Sequence, residues 1–392
     1  MSGIDPDETR RRLTDQDRVR ITLARFEGLA TKGAPTPLSV LAKRFGRDKA
    51  VISRIISSAL RSGLVTIRAN AESLTEPVRL RSTERELIRK YPSLIDSIVI
   101  DTPDPPDYAT PEGLLSYSDD IHRLLGYALA RELCNGTMIR EGDRLGIGPG
   151  RGVYETVRAM QRQKSIRARS VTLVSLSGVG YLRHHSNNRN LLLDSDFIIS
   201  FMGEAFDFPV TLDVVAAPLV APAFESASIF NSWLTLPDRT RPTLNTAILG
   251  VGSFAGGNRF FEEASASVAT QQPAYEAIRP ALRALRVATS KLPVGEYVPV
   301  ADVGYHLFFA PSPQRKSSLP ESVEADIQRQ LEAINRLLLS AHKNHFKSMQ
   351  SVMLVAGTRG KASALHHLLS SSWIRVTHVT TDRATAHALL TF

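Results

Sequence analysis

The stretch DRLGIGPGRGVYETVRAM, Asp143–Met160, decides the fold. A short apolar run ends in Gly146, Gly148, Gly150 and Gly152, and a helical pattern starts at once. Glycine has no Cβ, so such a loop lets the backbone approach a ligand and present its N–H groups. A helix starting there adds the positive end of its dipole, which favours an anion. Arg151 supplies a planar fork suited to phosphate or carboxylate. The spacing is not that of a dinucleotide site. G-x-G-x-x-G needs a third glycine where Arg151 or Val153 stands, and the next strand ends in Ser-Leu-Ser without an acidic residue for a ribose. Nothing in the chain matches G-x-x-x-x-G-K-S/T, so nucleotide triphosphate hydrolysis has no support. Two readings of the loop stand at this point: an anion cradle, or a tight strand-to-helix turn with no ligand.

Outward from this loop, apolar strands alternate with helical stretches. The strand candidates are SIVI (97–100), RLGIG (144–148), SVTLVSL (170–176), VVAAPLV (214–220), NTAILGVG (245–252), VMLVAG (352–357) and RVTHVTT (375–381). Such alternation predicts βαβ units in a mostly parallel sheet covered on both faces. Ligands of these sheets bind beyond the carboxyl ends of the strands. Thr83 and Glu86 have capping-box spacing and predict a helix over ERELIRKYPSL.

A length of 392 residues predicts two domains. The N-terminus is polar, with no signal-peptide apolar region, and no apolar run is long enough for a membrane span. Cys134 is the lone cysteine. It excludes an internal disulfide, fits a reducing cytoplasm, and reads as packing at the end of a helix. The formal charge of +9 is lopsided: residues 1–68 carry 14 Lys/Arg and 7 Asp/Glu, a net +7. A localised basic module is the electrostatic footprint of a nucleic-acid binder.

That module shows three helical patterns. The first runs from Asp15 to about Leu29, with Val19, Ile21, Leu23 and Phe26 as its apolar positions. The second opens with Thr36 as N-cap and Pro37 at the first helical position, and stops at Gly46. The third follows Asp48, a candidate cap, and carries Val51, Ile52, Ile55, Ile56, Ala59 and Leu60 at helical spacing as far as Gly63. LVTIR then alternates like the strand of a wing. Two short helices joined by a glycine turn signal a helix-turn-helix. Lys49, Ala50, Ser53 and Arg54 lie at the N-terminal face of the third helix, the end that reaches base edges in the major groove. Arg54 suits a bidentate contact to guanine. A small helical bundle for protein contacts is the competing interpretation.

The stretch LAKRFGRDKAVISRIISSALRSGLVTI (41–67) resembles the N-terminal domain of SorC/DeoR-type bacterial regulators, with Asp48 where a serine is usual. The large domain resembles the same family's sugar-binding domain, in the same order along the chain. GIGPGRGVYETV is similar to its first glycine loop and SLSGVG (175–180) to its second. AILGVGS (247–253), VADVGYHLFF (300–309), VAGTRGKASAL (355–365) and VTTDRATAHALL (379–390) are similar to its later elements. Thr358 and Ala301 stand where glycines are usual.

This resemblance implies a winged helix-turn-helix domain at 1–70, a linker at 71–83, and a Rossmann-like, mostly parallel α/β domain at 84–392 related to sugar-phosphate isomerases. It implies a homodimer or homotetramer, double-stranded operator DNA as one partner and a sugar, sugar phosphate or related metabolite as effector. Carried over by position, Gly148, Pro149, Gly150, Arg151 and Gly152 are the anion site, Gly178 belongs to the second loop, and Lys361 is a second cation. Asp302 is a hydroxyl acceptor, and Arg259 is a further candidate. No catalytic residue, cofactor or metal is expected. The neighbouring His184 and His185 have no further ligands at metal spacing; with Asn187, Asn188 and Arg189 they form a selectivity loop or an exposed turn. The His366–His367 pair reads as a partly exposed helix face. An isomerase or deaminase fused to a DNA-binding module is the alternative, and it lacks a second catalytic group in sequence.

Overall fold

The computed structural model describes residues 13–32, 35–62, 64–65, 77–102, 111–135, 138–163, 166–178, 194–215, 219–220, 244–253, 273–290, 297–311 and 321–392. The chain divides into two compact units, Met1–Ser73 and Leu74–Phe392.

The first unit holds α1 (Asp15–Lys32), α2 (Leu38–Phe45) and α3 (Lys49–Arg61). Thr14 and Asp17 cap α1 reciprocally: the Asp17 N–H donates to Thr14 Oγ1 at 3.2 Å and the Thr14 N–H to Asp17 Oδ2 at 3.0 Å. Ile21, Ala24, Leu41, Ile52, Ile55 and Ile56 form the core, with Leu13, Val51 and Leu60 against it. Leu23, expected inside, is 51% exposed, and Thr22 takes the buried position instead. The second helix starts one residue later than expected. Pro37 is its N-cap and its carbonyl accepts from Leu41 at 3.2 Å. Gly46 adopts φ 59°, ψ 35°, a left-handed cap that costs little only for glycine. Asp48 occupies the N-cap of α3 but makes no side-chain cap hydrogen bond. The expected wing at LVTIR lies largely outside the described residues.

The second unit begins with an antiparallel excursion along the sheet edge. The Leu80 N–H donates to the Val99 carbonyl at 2.8 Å, and the Asp101 N–H to that of Val78 at 2.8 Å. Then come α4 (Arg81–Lys90), β1 (Asp96–Ile100), α5 (Pro111–Asn135), β2 (Arg144–Ile147), α6 (Arg151–Gln163), β3 (Thr172–Ser175), α7 (Ser195–Gly203) and β4 (Thr211–Asp213). After β5 (Thr246–Ser253) follow α8 (Pro273–Ser290), the hairpin β6 (Tyr297–Val303) and β7 (His306–Pro311), α9 (Glu321–Asn335) and α10 (Lys343–Ser348). The chain ends with β8 (Ser351–Val355), a 3-10 turn (Arg359–Lys361), α11 (Ala362–Ser370), β9 (Val376–Asp382) and α12 (Arg383–Thr391).

Seven strands form a parallel sheet in the order β1-β9-β8-β5-β2-β3-β4, and β6 extends β5 antiparallel. Alternate residues of each strand feed opposite cores, as a doubly covered sheet requires. Val99, Val352 and Leu354 pack with α11 and α12 on one face, while Ile98, Ile100, Met353 and Val355 pack with α5 and α6 on the other. Each such fully buried aliphatic side chain contributes about 1.5–3 kcal/mol of transfer free energy. The helices α5 and α6 touch through Gly126, where an added Cβ would fall 2.5 Å from the Glu155 backbone. Cys134 is half-buried and packs against the α5–α6 core.

Three sequence expectations shift. The helix expected from Thr83 starts at Arg81, because Glu84 is committed inward: it pairs with Arg79 at 2.8 Å and accepts from the Val99 N–H at 3.0 Å. The end of the expected linker therefore packs on the sheet. The strand expected at Val214–Val220 is not one among its described residues; the strand is Thr211–Asp213 just before it, and Val220 makes one bridge to Leu338. The β6–β7 hairpin adds antiparallel pairing that the strand candidates did not include.

Candidate functional site

The strand order reverses between β2 and β5. From β2 the chain steps outward to β3 and β4; from β5 it steps the other way to β8 and β9. Open α/β sheets bind ligands in the crevice at such a switch point. The glycine loop sits there. The Gly148 N–H donates to the Ile248 carbonyl at 2.9 Å, which zips the two strands to their ends. An added Cβ on Gly148 would meet Leu249 at 2.5 Å, and one on Gly152 would meet Val355 at 2.9 Å. Both glycines thus let β2 and the start of α6 press against β5 and β8. Gly150 differs: its φ of 119° suits glycine, and a Cβ there would have only the Gly250 backbone, at 4.0 Å. It faces space, and α6 begins at the next residue with its first-turn N–H groups directed to the same end.

The two cations converge through α5. Arg151 forms an ion pair with Asp119. Three residues on, on the same helix face, His122 lies 5% exposed, with Nδ1 2.6 Å from the Ser118 carbonyl and Nε2 3.2 Å from Lys361 Nζ. Burial, then the charges of Lys361 and Arg151, push the His122 pKa down to about 3. The ring is therefore neutral. Since a carbonyl only accepts, Nδ1 carries the proton, and Nε2 accepts from the Lys361 ammonium. Lys361 is not fully buried as a residue, but its ammonium is withdrawn from water. That lowers its pKa to about 8 against the opposing pull of Asp302 and Asp382. Asp302, 6% exposed, accepts from the Tyr305 N–H at 3.3 Å.

Asp382 is the buried strut beneath Lys361. It accepts from Thr385 N at 3.0 Å and Thr385 Oγ1 at 2.8 Å, capping α12, and from the Thr358 N–H at 2.5 Å. Thr358 holds φ 77°, a conformation costly for a residue with a Cβ. The strand β9 thus fixes the turn that delivers Lys361.

The expected effector residues fare differently. Gly148, Pro149, Gly150, Arg151 and Gly152 lie together at the switch point; Lys361 and Asp302 share its electrostatics. Gly178 is set apart: its N–H donates to the Leu339 carbonyl at 2.7 Å, stitching the end of β3 to the segment before α10. Arg259 and the His184–Arg189 segment lie outside the described residues. Asp119, His122 and the strut function of Asp382 are what sequence reasoning missed. The polar pair Asp119 and His122, three apart on a helix that is otherwise apolar toward the sheet, is the signal that would have found the first two. Among the described residues no group of three or more His, Cys, Asp or Glu could hold a metal ion, and no helix is long and apolar enough to cross a membrane.

On the first unit, Lys49, Ala50, Ser53 and Arg54 are all exposed at the start of α3, opposite its buried Ile52, Ile55 and Ile56. Arg54 Nε donates back to the Ala50 carbonyl at 3.4 Å. Lys43 and Arg44 of α2 and Ser57 and Arg61 of α3 are exposed as well.

No protein-family model matches the chain, and no curated protein matches its sequence. Solved structures do. The full-length sorbitol operon regulator SorC from Klebsiella pneumoniae is 16% identical, with a TM-score of 0.50 over 97% of this chain and 100% of that one. A transcriptional regulator from Streptococcus pneumoniae TIGR4 is 16% identical, with a TM-score of 0.51 over 80% of this chain and 97% of that one. The chain has the fold of SorC/DeoR-type transcriptional regulators.

Proposed function

We propose that this protein is a transcription regulator that binds operator DNA through its three-helix unit and senses a small anionic, hydroxyl-bearing effector in its α/β unit. The observation that carries the proposal is the pair Arg151 and Lys361, fixed by Asp119 and His122 beside a glycine loop at the switch point. A sugar phosphate fits this chemistry: the anion against the helix start and the two cations, its hydroxyls against Asp302. The fold it shares with a sorbitol operon regulator agrees with a sugar-type effector. No step of this scheme needs a cofactor, and its components suit a cytoplasmic protein. The net +7 of residues 1–68 and the exposed start of α3 support DNA as partner. One such unit makes a short footprint, so a dimer or tetramer on a palindromic or repeated operator is part of the proposal.

Arg54→Ala tests the DNA assignment. It should weaken operator binding by about 1–3 kcal/mol and relax base preference at one position. Unchanged affinity and specificity in an operator titration would sink the assignment, and a monomer by sedimentation, free and on DNA, would sink the assembly. An isomerase or deaminase is the second interpretation. One observation favours it: an amine of pKa about 8 beside a neutral imidazole, with Asp302 near, is a set able to move a proton. Incubation with sugar phosphates separates the two. Turnover supports the enzyme; saturable thermal stabilisation without turnover supports the sensor.

A further inference from the structure

A groove of about 670 Å³ opens away from the glycine loop, between the start of β7, α9 and α10. It shares no lining residue with the switch-point site. His306 forms its inner wall and is 4% exposed, yet neither Nδ1 nor Nε2 has a hydrogen-bond partner among the described residues. The ring is fixed by apolar and aromatic neighbours: Trp373 and Phe346 meet it edge-on, with centroids 5.7 and 6.3 Å away. A buried imidazole with both nitrogens unpaired is costly to keep and calls for an occupant.

The surroundings specify the occupant's charge. Arg336 at the end of α9 and Lys343 at the start of α10 line the groove. His342 lines it too, with Nδ1 committed to the Ser340 carbonyl at 2.9 Å. Burial, and then the positive charges of His342, Lys343 and His345, hold the His306 pKa well below its usual value, so its ring offers one N–H donor and one acceptor. Asn335 cannot serve as a ligand group: its amide is committed to the Leu307 backbone at 2.9 and 2.8 Å, which pins α9 to β7 and holds the groove open. Glu332 and Gln328 complete the polar lining. A donor at the base and two cations favour an oxyanion, and one carboxylate and one amide favour hydroxyls beside it.

We propose that this groove is a second small-molecule site, for a compact oxyanion carrying a phosphate or carboxylate group, bound by the His306 N–H with Arg336 and Lys343. The site does not rest on the switch-point proposal. The β6–β7 hairpin carries Asp302 to one site and His306 to the other.

Calorimetric titration of the full chain with inorganic phosphate, and in a parallel arm with citrate, tests it. The background is Lys361→Ala, so that binding at the glycine loop does not register. Saturable binding of one anion per chain is expected in at least one arm, and the responding arm assigns phosphate or carboxylate. Adding Arg336→Ala and Lys343→Ala, both exposed positions, should weaken it at least about tenfold. His306→Phe, which keeps the ring and removes its nitrogens, should do the same while the circular dichroism melt stays cooperative. Binding in neither arm, or binding that the Arg336/Lys343 pair of substitutions leaves intact, overturns the proposal. Loss of anion binding by Lys361→Ala in the otherwise native chain with no residual site would likewise leave only the glycine loop.

Discussion

The two glycine loops, Gly148–Gly152 and the one at Gly178, read alike: each closes an apolar strand and each is rich in small residues. Their structures part company over where the backbone hydrogen bonds go. At the first, β2 ends against β5, where the sheet order reverses, and Gly150 turns into open space at φ 119°. At Gly178, the N–H is already taken by Leu339, and Ser177 pairs with Ser340. A glycine after a strand marks a place where chain comes close; whether ligand or other chain fills that place depends on what the topology puts opposite it. The comparison also explains why cations gather at only one loop. The helix α5 crosses beside the first and brings Asp119 and His122 to hold Arg151 and Lys361.

Gly150→Asp is the harshest way to break this contrast. A carboxylate placed where the effector's anion sits should reduce effector affinity more than about 100-fold, since like-charge juxtaposition costs several kcal/mol, while operator binding persists. Calorimetry beside fluorescence anisotropy would check both halves, and normal effector binding would make the loop a structural turn only. Lys361→Ala should cost about 1.5–3 kcal/mol, more than roughly tenfold in affinity, as expected for one charge-assisted contact. An unchanged affinity would move the anion elsewhere.

The pH dependence sharpens the same point. With a pKa of about 8, Lys361 loses its charge as pH rises past that value. Effector affinity should then fall, by up to about tenfold per pH unit for one linked proton, and the fall should vanish in Lys361→Ala. For folding the sign is opposite. The folded pKa lies below the ordinary 10.5, so between the two values the unfolded chain holds the proton the folded one has released, and this group's contribution to stability rises with pH. Titrations from pH 7 to 9.5 would show a flat profile if Lys361 does not touch the anion. The smallest effect belongs to the second loop. Gly178→Ala keeps the N–H that bonds Leu339, so effector affinity should change by less than about twofold. A tenfold loss would bring that loop back into the site.

Much of this was legible in order along the chain. β2, β3, β5, β8 and β9 are apolar runs of strand length, and periodicity found them because both faces of each are buried. The edge strand β4 was missed. Its Thr211 and Leu212 are exposed, so the more apolar VVAAPLV beside it drew the assignment. The start of α4 was missed for a different reason: Glu84, read as an ordinary helix residue, is 3% exposed and paired with Arg79. Leu23 of α1 reversed the usual rule, lying exposed beside a buried Thr22.

By itself the sequence determined the local chemistry: the left-handed stop at Gly46, the glycines that allow close approach after β2, the basic helical module, and the alternation that makes a parallel α/β sheet. These follow from sterics and periodicity within a few residues. Only the tertiary structure decided which polar groups share a site. Asp119, His122, Asp302, Lys361 and Asp382 come from five separate segments, and nothing local ties their side chains together. The parallel sheet does so, because it sends the carboxyl ends of β5, β8 and β9 to one edge, beside the loop after β2. Burial there then sets what each group can do: it strips water from Lys361 and His122, and so makes one a cation of pKa about 8 and the other a neutral acceptor.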